Sequence, residues 1–176
     1  MASGGSAGGG TSSGSGSSSF IDGVILLVFA LVFNFLNYTF TVGGKKPLDE
    51  EYATSAYLIE SGFEFENSED LISGLEYFHQ KTGVQLVILS TTESAAFDLT
   101  EELAVDIYYS LFYDEAHVLI IMSNSHLCTT YYAIGDLAQN VVDQNALNHL
   151  IWKIDHSTDG TRIGKQLRKF ADKLIN

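Results

Sequence analysis

A chain of 176 residues with a net charge of −13 and a single cysteine excludes several classes of protein at once. An acidic body offers no broad phosphate-binding face, which argues against nucleic acid as a partner. With Cys128 alone there is neither an intrachain disulfide nor a thiolate zinc cluster.

Residues 1–19 are almost wholly Gly, Ser, Ala and Thr. They carry no apolar surface to offset the entropy of ordering, so a disordered tail is expected. Residues 20–42, Phe20 to Val42, read FIDGVILLVFALVFNFLNYTFTV, with no charge between Gly23 and Gly44. At about 1.5 Å per residue that length crosses a hydrocarbon layer of about 30 Å, and a single transmembrane helix is expected. A cleaved signal peptide would carry a basic residue ahead of its apolar stretch, and none stands here; a buried core helix is the other alternative. Lys45 and Lys46 follow the span, which by the positive-inside rule favours a cytoplasmic domain. Asp49, Glu50 and Glu51 come directly after them and leave the side open.

Residues 43–56 read as a linker and 57–176 as one folded domain. Tyr57, Leu58 and Ile59 suit a short strand, Gly62 a turn, and Phe63 and Phe65 alternate with Glu64 and Glu66. Ser68 to Ser90 then gives one helix, one tight stop and one buried strand. Leu71, Ile72, Leu75 and Phe78 form its helical stripe. Ser68, with Glu69 and Asp70, suits the helix start, and Gly83 suits the left-handed stop. Val84 and Leu86–Leu89 make a nearly continuous apolar run, as expected of a strand covered on both faces.

A second helix is expected over about 100–112, with Asp98 and Glu101 as a capping box and Leu103, Ile107 and Leu111 facing inward. His117–Ser123, HVLIIMS, reads as a second buried strand. Cys128–Gly135 pairs back on it as a hairpin in which Tyr131 and Tyr132 point to opposite faces. Asp143 caps a third helix that buries Ala146, Leu147, Leu150, Ile151 and Ile154. After the break at Thr158, Asp159 and Gly160, a last helix buries Ile163, Leu167, Phe170, Ala171 and Leu174. Its cations Arg162, Lys165, Arg168, Lys169 and Lys173 read as a solvated face. The order β, α, β, α, β, β, α, α belongs to an α/β layer protein.

Three segments, with the helix before the first of them, carry a family resemblance: Lys81 to Leu89 (KTGVQLVIL), the strand HVLIIMS, and Tyr131 to Leu147 (YYAIGDLAQNVVDQNAL). In this order they resemble the TPM domain family, over about 57–175. The resemblance implies a three-layer α/β/α sandwich around a small, partly parallel mixed sheet, usually tied to a membrane. Some relatives in that family are phosphatases and some bind calcium near these loops. Here Asn124, Ser125 and His126 stand where the family often has acidic residues and an Arg. The turn Gly135-Asp136-Leu137 lacks the family's second Gly.

The candidate chemistry lies in acidic loops. Asp136 and Asp143, with Asp114 or Glu115, can offer oxygens to a hard cation such as calcium. Against this, Asp is also the ordinary turn and cap residue at such positions. His126 and Cys128 supply only two ligands, and His149 and His156 lack a partner at metal-binding spacing, so all read as surface. Ser90, Ser123 and Ser125 have no Gly-x-Ser-x-Gly context. The expected function is a membrane-tethered binding or accessory module for membrane-protein partners, the partners being what the resemblance implies. The alternative is a weak divalent-metal-dependent phosphatase using carboxylates near Asp136 and Asp143.

Overall fold

The computed structural model describes residues 44–92, 99–125 and 129–176. The expected tail and membrane span lie outside these, as do Asp98, His126 and Cys128. Among the described residues no helix is long and apolar enough to cross a membrane.

The elements follow in the expected order: β1 (Leu58–Glu60), α1 (Ser68–Thr82), β2 (Gln85–Thr91), α2 (Glu101–Leu111), β3 (His117–Ser123), β4 (Tyr131–Ile134), α3 (Gln144–Ile154) and α4 (Gly160–Ile175). A short 3-10 turn, Ala138–Asn140, lies between β4 and α3. The strands form one small mixed sheet in the order β1-β2-β3-β4, with β1, β2 and β3 parallel and β4 antiparallel to β3.

The apolar runs divide between two cores by strand alternation. Leu86, Ile88, Val118, Ile120 and Met122 join the larger core with α1, α3 and α4. Val87, Leu119, Ile121 and Ala133 face the smaller core under α2. Helices therefore cover both faces of the sheet. Tyr132 belongs to the first side and Tyr131 to the second, as the alternation requires.

Local chemistry departs from expectation at two helices. Asn67, not Ser68, precedes α1, in a left-handed conformation (φ 53°) and without a side-chain cap bond; Asn tolerates that region better than most residues. Gly83 stops the helix at φ 71°, as expected. On α2 the cap is Thr100, whose hydroxyl accepts from the Leu103 N–H at 3.1 Å. The fully buried positions of α2 are Ala104 and Tyr108, with Ile107 and Leu111 half-buried and Leu103 turned out. The face α2 turns to the sheet thus centres on small Ala104 and large Tyr108.

The linker is docked. Lys45 N–H donates to the Leu174 carbonyl at 3.0 Å and Leu48 N–H to Thr82 at 2.9 Å. The Gly44 N–H donates to the Asn176 carbonyl.

The tightest approach joins α1 to α4. A Cβ on Gly74 would lie 2.5 Å from the Gly164 Cα, and one on Gly164 would lie 2.4 Å from the Asp70 carbonyl oxygen. In an unobstructed helix interior Gly→Ala stabilises by roughly 0.5–1 kcal/mol. Here the obstacle is backbone, so the sign reverses. Gly164→Ala is expected to destabilise by about 1–3 kcal/mol, the usual cost of overpacking, in urea unfolding. An unchanged or raised midpoint would refute the contact.

Candidate functional site

The acidic residues singled out from sequence do not all come together. Asp114 lies in the turn before β3, and its Oδ1 is 2.8 Å from Nδ1 of His117 and accepts the Ala116 N–H at 3.0 Å. Glu115 reaches Asp136: its Oε2 accepts the Asp136 N–H at 3.1 Å. Asp143 caps α3, accepting the Ala146 N–H at 2.9 Å. It lines a separate shallow hollow with Lys45, Gln144 and Asn145. Among the described residues no group of three or more His, Cys, Asp or Glu is gathered for a metal ion.

Their place in the sheet is also different from the usual ligand position. Open α/β sheets take ligands at the carboxyl ends of parallel strands. Asp114 and Glu115 precede β3, and Asp136 follows the antiparallel β4, so they sit at the amino ends. At the carboxyl end of β2, Ser90 is buried, and its hydroxyl accepts from the N–H groups of Ser61, Gly62 and Phe63 at 3.1–3.2 Å. It donates to the Phe63 carbonyl at 2.7 Å. Ser90 thus staples a loop.

A polar network missed in the sequence crosses the amino ends. His117 is 2% exposed, stacked on Phe112, and its Nε2 lies 3.1 Å from the Gln85 Oε1. The Gln85 amide in turn bonds both main-chain groups of Ser55 at 2.7 and 2.9 Å. The run HVLIIMS masks this role by its apolarity. The available signal was an Asp three residues ahead of a His at a strand start.

A groove of about 250 Å³ runs along β4. The Gly135 N–H donates to the His117 carbonyl at 3.0 Å. Paired positions in an antiparallel ladder alternate, so Leu119–Ala133 is a hydrogen-bonded pair, and Ile120–Tyr132 and Val118–Ile134 are not. The main-chain groups of Tyr132 and Ile134 therefore point away from β3, along an edge that no strand pairs among the described residues. Gln139 covers one of them, donating to the Ile134 carbonyl at 3.4 Å. Glu101, Val105 and Tyr109, on one face of α2, form one wall, and Gln139 and Gln144 the other. Val105 is 40% and Tyr109 62% exposed.

Carboxylates stand beside this groove: Glu101 lines it, and Glu115 and Asp136 act on Tyr109. The Tyr109 phenol is held above its ordinary pKa first by the charge of Glu115, then by burial and Asp136. Tyr108 is pushed up further, by burial first and then Glu115. Its hydroxyl donates to the Asp114 carbonyl at 3.2 Å.

Comparison of the chain with protein-family models and with curated proteins gives no match to either.

One histidine gives a stability test. His79 Nδ1 lies 2.9 Å from the Tyr57 hydroxyl. Burial, and then the neighbouring His117, hold its pKa below the ordinary 6.5. Between the folded and the unfolded value only the unfolded chain takes the proton, so acid favours unfolding in that window. Stability is expected to fall as pH drops from neutrality through the ordinary histidine range, and to fall less in His79→Gln. Melting temperatures at several pH values check this; an equal slope in both proteins would remove His79 as the cause. His149, lowered by burial and by Lys153 and Lys173, acts in the same direction and leaves a residual slope.

Proposed function

We propose that this chain is a membrane-tethered binding module of TPM type, held to the bilayer through residues 20–42, whose α/β domain takes an extended segment of a membrane-protein partner along β4. The observation that carries the reading is the edge of β4, unpaired among the described residues, at the floor of a groove, with the Tyr132 and Ile134 main-chain groups turned outward. Exposed edges accept added strands, with main-chain bonds giving affinity and flanking side chains giving choice. Glu101 on one wall, and Glu115 and Asp136 beside Tyr109, favour a segment carrying Lys or Arg.

A second reading, a divalent-metal-dependent phosphatase using carboxylates near Asp136 and Asp143, rests on the approach of Glu115 to the Asp136 main chain, with Asp143 apart from them in its own hollow. Phosphate-monoester hydrolysis with calcium or magnesium, then with chelator, separates the two. Metal-dependent turnover lost in Asp136→Asn would replace the binding reading with the enzymatic one.

The binding reading predicts that a strand-forming peptide alternating Val and Lys binds the protein, and that its Val/Glu counterpart binds at least tenfold more weakly. Ile134→Pro removes an outward N–H without touching a ladder bond. Val105→Lys obstructs one wall and adds charge of the wrong sign. Each is expected to weaken binding about tenfold, near the net value of one hydrogen bond, by calorimetry. Wild-type affinity in both variants would sink the edge as the site.

A further inference from the structure

The cations of α4 read from sequence as a solvated face, but the fold gathers some of them. Lys169 and Lys173 line a hollow of about 100 Å³ between α3 and α4, with His149, Lys153, Gln166 and Phe170. Three of the nine Lys and Arg of a chain with net charge −13 thus share one small concavity. No carboxylate lines it among the described residues. The crowding is felt by the groups themselves. Lys173 is held below its ordinary pKa by burial and then by Lys153, and His149 by burial and then by Lys153 and Lys173. Like charges so placed repel one another, and an anion in the hollow would relieve the repulsion.

Two further observations identify the anion's source. Trp152, the only tryptophan, is 77% exposed and stacks on His149 at 6.2 Å between ring centroids. An indole turned to solvent beside a lysine cluster suits the headgroup level of a bilayer, where an apolar body and a polar edge are both satisfied. The second is where the chain enters the domain. The Gly44 N–H donates to the Asn176 carbonyl and the Lys45 N–H to that of Leu174, the residue after Lys173. Gly44 and Lys45 therefore sit at the last turn of α4, beside Lys173, where Lys45 also borders the hollow that Asp143 lines at the start of α3.

We propose that the α3–α4 face docks on an anionic bilayer surface, with Lys153, Lys169 and Lys173 meeting lipid headgroups and Trp152 settling at the interface. The proposal rests on the tether reading above: a domain held at a bilayer meets its headgroups at high effective concentration. Arg168 and Lys81 take no part. Arg168 donates to Ser73 and lies over the Tyr77 ring, and Lys81 pairs with Asp172 at 3.4 Å.

The test uses the full chain and its sole tryptophan. The protein is reconstituted with vesicles of phosphatidylcholine alone, or of phosphatidylcholine with phosphatidylserine. Flotation reports the tether and Trp152 fluorescence reports the face. The chain is expected to float with both. Trp152 emission is expected to shift to the blue, and to be shielded from acrylamide, only where phosphatidylserine is present, with reversal at high salt. Each lysine removed should weaken the anionic preference about fivefold, so Lys169→Gln with Lys173→Gln should nearly abolish it, and Lys169→Arg should preserve it. Equal emission in the two vesicle types would overturn the docking face while flotation upheld the tether. No flotation with neutral lipid, but flotation and a blue shift with phosphatidylserine, would overturn the tether and uphold the face. A shift undiminished in the double variant would overturn the assignment to these lysines.

Discussion

The backbone contact between α1 and α4 is the constraint on which the larger core depends. Gly74 and Gly164 let two helices of the same polarity approach until main chain meets main chain. Their amino ends are joined as well. The Gly160 N–H donates to the Glu66 carbonyl at 2.7 Å, the Glu66 N–H to Thr158 at 2.9 Å, and the Thr161 hydroxyl to Asp70 at 2.6 Å. Farther along, the Tyr77 hydroxyl donates to Asp172 at 2.6 Å, and Phe78 stacks on Phe170. The last helix of the chain is thus fixed along the first. The linker is seated on its end through Gly44 and Lys45.

Element type and order were legible because both apolar strands are covered on both faces. QLVIL and HVLIIMS need no alternation of polarity, yet their alternate residues go to different cores. The inward faces of α3 and α4 were legible from spacing, and Asp143 as a cap from its position. Leu103 was misplaced because the approach of α2 to the sheet selects small Ala104 and large Tyr108, a tertiary preference that periodicity does not carry. Gly160 looked like a break. It is the first residue of α4, and a Cβ there would meet the Asn67 carbonyl oxygen at 2.5 Å. A glycine required by a neighbouring backbone looks the same in sequence as one required by a turn.

The candidate site was less legible, for a topological reason. Asp136 was correctly set at a turn, but the groove beside it exists because β4 is an edge, and strand order is not written in local pattern. The carboxylates were weighed as ligands from their place in acidic loops. The fold assigns Asp114 to the Ala116 amide, Glu115 to the Asp136 amide and Asp143 to the α3 amino terminus. Each is the satisfaction of a nearby donor, which is the commonest fate of a carboxylate beside a backbone N–H or a histidine.

The groove and the hollow have opposite signs and share α3. Gln144, the first residue of that helix, borders the groove, and Lys153, in its last turn, borders the hollow. Asp143 at its start and Lys153 near its end both agree with the helix dipole, so the charge separation costs the helix nothing locally. At about 1.5 Å per residue the two positions are roughly 14 Å apart, beyond the Debye length of about 8 Å at physiological ionic strength. An anionic surface drawn to the hollow would therefore act only weakly on the carboxylates at the groove. One acidic domain can rest its basic face on like-charged lipid and still offer an acidic groove to a basic strand. Of the hollow's three lysines only Lys173 lies at the end of α4 where the chain enters; Lys169 is one turn back, and Lys153 stands across from it in the last turn of α3.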